Sequence, residues 1–143
     1  MANASFTYAV QTSSVTGQPV ITEDQETLTI WFTLVAAGVY VAGGIPVDFT
    51  QLFAVLAAAP GASLVTAAAP LTPVSLESSR TPGQANLYVY HFVPGSPSNA
   101  SNGKVQILTG AAAQTALTEL SAGALPAGVT ADTISGRVTF PKM

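Results

Sequence analysis

The segment Thr27–Val35 reads TLTIWFTLV, and its alternation predicts the fold class. Every second residue from Leu28 to Leu34 is aliphatic or aromatic, whereas the residues between them are threonines and Trp31. Successive side chains of a β-strand point to opposite faces, so this period of two predicts a half-buried strand with Trp31 on its more polar side. The chain is therefore expected to build its core from sheets.

Other alternating segments extend this pattern along the chain. The stronger ones are Leu87–Val93 (LYVYHFV), Lys104–Leu108 and Thr133–Phe140, and the weaker ones are Ser5–Gln11, Ser63–Ala67 and Pro73–Leu76. Leu87–Val93 has large side chains on both faces, which predicts a central strand that is covered on both sides. Gly136 falls on the buried face of its segment and predicts a bulge or a close approach of another backbone.

Turn sequences rich in glycine, proline and asparagine separate these segments, as in Thr16–Pro19 and Asn102–Gly103. Short strands joined by such turns predict one all-β domain over residues 1–143. We expect a single antiparallel β-sandwich or jelly-roll-like fold with little helix. Residues 1–11 are expected to form either the first strand or an extended N-terminal arm.

Helix signals are few. Asp48–Leu56 is predicted to form a short helix with Asp48 as its N-cap, because an aspartate side chain accepts hydrogen bonds from the first free N–H groups of a helix. Ala111–Leu120 is helical by propensity but could be extended in its context.

The chain carries few charges. Charged residues make up 8% of the sequence, where roughly 25% is usual for soluble domains, and the net charge is −3. An acidic chain without a lysine or arginine cluster is a poor match for a nucleic-acid backbone. The longest apolar run, from Leu34 to Val47, is too short to span a bilayer, so no membrane partner is expected. A chain with so few charged residues is expected to have much of its surface covered by other subunits.

The segment Val39–Phe49 (VYVAGGIPVDF) interrupts an apolar region with two glycines and a proline. It lacks the glycine spacing and the neighbouring lysine or arginine of a phosphate-binding loop. Gly43 and Gly44 are instead expected to adopt positive φ angles in a sharp turn, and Pro46 to fix the direction of exit. The segment is predicted to be a structural corner, and no cofactor is expected.

No combination of residues predicts catalysis. His91 is the only histidine and is expected to pack in the core or at an interface, because a single base has no partner to orient it. The serines lack the G-x-S-x-G spacing of a nucleophile elbow, no metal-ligand spacing occurs, and the absence of cysteine excludes thiolate chemistry. The acidic cluster Glu23–Glu26 lacks the pattern of a calcium loop and is expected to be a solvated turn.

Four aromatic residues form a candidate interface: Trp31, Tyr88, Tyr90 and Phe92. Packing in the core or against another subunit is expected for them, since large aromatic side chains dominate core and interface energetics. The alternative is a platform on which the rings stack against sugars, because aromatic faces suit the C–H groups of carbohydrates.

Three motifs occur in an order that is similar to a known family. They are YVAGGIPV at Tyr40–Val47, LYVYH at Leu87–His91 followed by GKVQIL, and ELSAGALPAGVTADTI at Glu119–Ile134. In these motifs the chain resembles the capsid decoration, or cement, proteins and related head proteins of tailed bacteriophages. The resemblance implies a β-sandwich or jelly-roll body on the outer capsid surface, in a homotrimer where capsomers meet.

The expected function is therefore structural and not enzymatic. The protein is expected to be made in the host cytoplasm and to join the virion, where it binds the major capsid protein and stabilises contacts between capsid subunits. Its capsid contacts are expected in Met1–Gln11 and Pro94–Gly103. The alternatives are another virion component, such as a head fibre, tail-tube or head-completion protein, and a carbohydrate-binding β-sandwich module.

Overall fold

Two antiparallel sheets share one apolar core in the computed structural model, which describes residues 2–58, 65–68, 70, 72–79, 88–110 and 116–142. The strands are β1 Ser5–Val10, β2 Ile21–Glu23, β3 Thr27–Ala37, β4 Val39–Tyr40, β5 Ile45–Val47, β6 Thr72–Ser78, β7 Tyr88–Val93, β8 Gly103–Thr109, β9 Thr118–Glu119, β10 Gly123–Ala124 and β11 Ile134–Pro141. A 3₁₀ helix spans Phe49–Ala58 and a short α-helix, α1, spans Ala127–Thr130. The predicted all-β, antiparallel sandwich-like fold is confirmed.

The first sheet, sheet I, has the order β1-β3-β11-β6. β2 also pairs with β3, on the edge that β1 occupies further along, so β1 and β2 together form one interrupted edge. The interruption is a loop closed by a bridge between Thr12 and Pro19, and Val15 within it is 91% exposed. Sheet I thus has a long central strand, β3, with a protruding loop at one edge.

The second sheet, sheet II, has the order β5-β8-β7, and β9 pairs with β8. β4 and β10 form a separate two-stranded pair, and β4 comes directly before β5 in the chain. The β7–β8 connection is the long loop of residues 94–102, where Asn102 Oδ1 accepts a 3.0 Å hydrogen bond from the backbone N–H of Asn99. This loop is therefore held by its own side chains.

The core lies between the sheets and is lined by alternate residues of β3, as the period of two predicts. Leu28, Ile30, Phe32 and Leu34 are fully buried. The ring of Phe32 contacts that of Phe49 at the start of the 3₁₀ helix, with the ring centroids 5.2 Å apart. The predicted helix and cap are present, since Asp48 Oδ1 accepts a 3.0 Å hydrogen bond from the Thr50 N–H.

Gly136 has the close approach that the sequence predicts. It pairs with Phe32 on one side and Leu76 on the other, and a Cβ at this position would lie 2.6 Å from the carbonyl oxygen of Ser75 and 2.8 Å from the Phe32 ring. The pairing of β11 with β6 also shifts register between Arg137 and Thr139, which marks a bulge.

Two strand predictions are wrong. β7 pairs with β8 alone among the described strands, so it is an edge strand and not a central one; its starting residue Leu87 lies outside the described residues. Its two faces differ because only one is turned toward the core. Within Ser63–Ala67, the described residues Val65–Ala67 form no strand, and the rest of that segment lies outside the described residues.

The two open alternatives are resolved by strand pairing. Residues 5–10 are the first strand of sheet I, and Phe6 is buried, so the N-terminal segment is a paired strand and not an extended arm. In the segment Ala111–Leu120, Thr118–Glu119 is extended as β9, whereas residues 111–115 lie outside the described part of the chain. Both segments gain backbone hydrogen bonds from a neighbouring strand, which local propensity does not include.

Candidate functional site

The corner at Gly43 and Gly44 is structural. Both glycines have positive φ, at +100° and +110°, as the sequence predicts. Glu119 Oε1 accepts a 2.6 Å hydrogen bond from the Gly43 N–H and a 2.7 Å bond from the Tyr40 hydroxyl. The Glu119 carboxylate at the corner therefore binds backbone and tyrosine, and Pro46 lies beyond it as an exposed residue of the edge strand β5.

Burial shifts the titration of the tyrosine in this corner. It raises the pKa of Tyr40 to about 12, the hydrogen bond from the Ile107 N–H partly opposes that rise, and the neighbouring Glu119 adds to it. Tyr40 is therefore protonated across the physiological range and acts as a hydrogen-bond donor to Glu119, not as a base.

The aromatic candidate interface does not assemble. Tyr88 and Tyr90 are 9% and 6% exposed and point into the chain's own core, and Phe92 packs against Phe49 with the ring centroids 5.9 Å apart. Trp31 lies on the outer face of sheet I, whereas the other three belong to sheet II. A single surface of all four residues, for a subunit or for a sugar, is therefore not formed, whereas the core packing expected for Tyr88 and Tyr90 is confirmed, because alternation on β7 turns them inward.

The candidate chemical groups are also separated in space. His91 is exposed on the outer face of β7, so of the two positions predicted for it the core is wrong and the interface stays a prediction. In the acidic turn, Asp24 accepts hydrogen bonds from the N–H groups of Glu26 and Thr27, which are the largest causes of its lowered pKa. Across residues 2–58, 65–68, 70, 72–79, 88–110 and 116–142, no group of three or more His, Asp or Glu side chains could hold a metal ion.

Asp132 is the buried carboxylate that sequence reasoning missed. It accepts hydrogen bonds from the hydroxyls of Ser78, Ser79 and Tyr90, and from the Ser79 N–H at 2.9 Å. Burial by itself would raise the pKa of Asp132, but these hydrogen bonds outweigh it and the pKa is lowered. Asp132 joins β6, β7 and the start of β11, and its donors come from positions that no local motif connects.

The outer face of sheet I contains a groove of about 510 Å³. Its lining comes from four neighbouring strands or their ends, and the residues are Gln11, Trp31, Ser75, Glu77, Ser135, Gly136 and Arg137. Arg137 pairs with Trp31 on one side and with Ser75 on the other, and Ser135 pairs with Glu77. Of these residues the sequence singled out Trp31 as a possible contact.

The outer face of sheet II is the second exposed surface, here called the β7–β8 face. It consists of Val89, His91, Lys104, Gln106 and Leu108, with Val89 opposite Leu108 and His91 opposite Gln106. Val89 is 47% exposed, and two further exposed apolar residues lie at the ends of this sheet, Val41 before β5 and Leu117 before β9. Among these five residues Lys104 alone carries a full charge, and Glu119 on β9 pairs with Leu108 at one side of the face.

Comparison of the chain with protein-family models, with curated proteins and with solved structures found no match. Among the helices in the described part of the chain, none is long and apolar enough to cross a membrane. The geometry of these two surfaces, together with the motif resemblance, is therefore the basis for a function.

Proposed function

We propose that this chain is a non-enzymatic virion protein that decorates a capsid. In this proposal it binds the outer capsid surface as a homotrimer and stabilises contacts between subunits of the major capsid protein. The observation that carries the proposal is the β7–β8 face, where exposed Val89 lies opposite half-buried Leu108 and Lys104 is the one fully charged residue among the five. Buried centres of protein interfaces are depleted of charge in the same way.

The expected mode of contact now differs from that based on sequence. Residues 5–10 belong to sheet I, and the loop at 94–102 folds on its own side chains, so neither provides a free strap. A rigid face fits a cement role, because a preorganised surface loses little conformational freedom on binding.

The test is co-sedimentation of the purified chain with capsids assembled from the major capsid protein of the same genome. Binding that saturates, with density at the outer surface between capsomers in electron micrographs, would support the proposal. Density at a portal, tail or fibre would assign the chain to another virion component. A failure to bind these capsids or mature particles would contradict the proposal.

A further inference from the structure

We propose that the groove on the outer face of sheet I binds a neutral saccharide, with Trp31 as the stacking surface and Arg137 and Glu77 as the polar contacts. This site does not depend on the capsid proposal, because it lies on the opposite sheet from the β7–β8 face. It also differs from the aromatic platform predicted from sequence, since only Trp31 is common to both.

The positions of the three side chains follow from strand register. Arg137 is the direct cross-strand partner of Trp31, which places their Cβ atoms about 4.5 to 5.5 Å apart. Glu77 is diagonal to Arg137, because it pairs with Ser135 two residues earlier on β11, and such neighbours lie about 7 to 8 Å apart. One indole, one guanidinium and one carboxylate thus share a single patch.

The polar groups of this patch are not used by the fold. In the part of the chain that the structure describes, the side chains of Arg137 and Glu77 form no hydrogen bond or ion pair, and the Trp31 indole N–H has no partner. Gln11 lies next to Trp31 and uses its side-chain amide to donate to the carbonyl of Phe32 at 3.2 Å. Arg137, Glu77 and Trp31 therefore keep donors and acceptors for a ligand.

The mixture of groups selects the ligand class. A sugar presents hydroxyls that both donate and accept, which suits a guanidinium with five N–H donors beside an acceptor carboxylate, and its C–H face suits an aromatic ring. A nucleic acid is a poor fit, because Arg137 is the only cation of the groove and Glu77 would repel phosphates. The volume of about 510 Å³ lies within the range of small-ligand sites, roughly 300 to 1,000 Å³.

The bulge next to Arg137 is consistent with a built site. Register between β11 and β6 shifts between Arg137 and Thr139, and bulges of this kind re-aim side chains near functional sites. Beneath the groove, Gly136 lets the Phe32 ring pack directly against β11, so the floor is closely packed.

The experiment uses the intrinsic fluorescence of the protein, because Trp31 is its only tryptophan. The full chain is titrated with soluble neutral oligosaccharides built from glucose, galactose, mannose and N-acetylglucosamine, to roughly millimolar concentration. We expect at least one of them to shift the emission of Trp31 and to saturate. Arg137→Ala and Glu77→Gln should each weaken that binding about tenfold or more, whereas Lys104→Ala on the β7–β8 face should not change it.

Three outcomes would overturn the proposal. The first is the absence of any change at Trp31 with all of these oligosaccharides. The second is binding that persists unchanged in folded Arg137→Ala and Glu77→Gln variants. The third is Trp31 emission that changes with protein concentration but not with added oligosaccharide. That result would show that a second copy of the chain covers the groove. Arg137 and Glu77 are exposed, so their variants are expected to fold, and circular dichroism checks this.

Discussion

The hydroxyl of Tyr40 donates a 2.7 Å hydrogen bond to the carboxylate of Glu119, and this contact joins the glycine corner to sheet II. The same hydroxyl accepts a 3.2 Å bond from the Ile107 N–H on β8, and the same carboxylate oxygen accepts from the Gly43 N–H. Three segments distant in sequence therefore meet at two side chains. The corner keeps its shape through this network as well as through its glycines.

Replacing Glu119 with alanine should destabilise the fold by about 1 to 3 kcal/mol, because it leaves the Tyr40 hydroxyl and the Gly43 N–H without their acceptor. Glu119→Gln keeps an acceptor oxygen and should cost less. The measurement is the free energy of unfolding from urea melts. Glu26→Ala, at an exposed turn, is the matched control, and equal losses in Glu119→Ala and Glu26→Ala would contradict the network's role.

Gly44→Ala should be more damaging than Gly43→Ala. Both positions have positive φ, so backbone strain of about 1 to 3 kcal/mol applies to each. At Gly44 the new Cβ would also lie 2.8 Å from the Val105 carbonyl oxygen, whereas at Gly43 no atom lies within 4 Å. Denaturant midpoints of the two variants test this directly. Equal midpoints would show that the contact with β8 relaxes without cost.

Stability should fall in acid partly through Asp132. Its pKa is lowered in the folded chain, so its contribution is complete above the unfolded pKa of about 3.9 and is lost as the pH falls through the folded value. Asp132→Asn should be less stable than the parent at pH 7, and the difference should shrink below about pH 4. Urea melts across this pH range measure it; a difference that stays constant with pH would contradict the assignment.

The β7–β8 face should govern assembly. Val89→Asp places a charge at its exposed apolar centre and should weaken trimer formation or capsid binding about tenfold or more, because burying an unpaired carboxylate is costly. Val15→Asp is the control, since Val15 is 91% exposed on the loop of sheet I. Light scattering of the isolated chain and co-sedimentation with capsids are the readouts. Equal behaviour of the two variants would place the interface elsewhere.

Much of the fold was predictable because its signals are local. The alternation in Thr27–Val35 sets which side chains of β3 share a face, whatever the strand pairs with. The positive φ angles of Gly43 and Gly44 follow from the lack of a Cβ, and Asp48 caps the next helix through a contact two residues away. These features depend on neighbours in sequence, and the structure confirms them.

Tertiary structure alone decided which faces are covered. Alternation on β7 placed Tyr88 and Tyr90 on one face, but only the pairing with β8 and the position of the core determine that this face is buried and that His91 is exposed. The hydrogen bonds of Asp132 likewise require distant donors.

The groove on sheet I has the same origin. Trp31, Glu77 and Arg137 belong to three different strands; Trp31 is half-buried and the other two are exposed, and none stands out within its own segment. Their proximity is a consequence of strand order and register, which depend on free energies summed over the whole core. A sequence pattern specifies the two faces of each strand, and only the packed sheets specify which residues of different strands become neighbours.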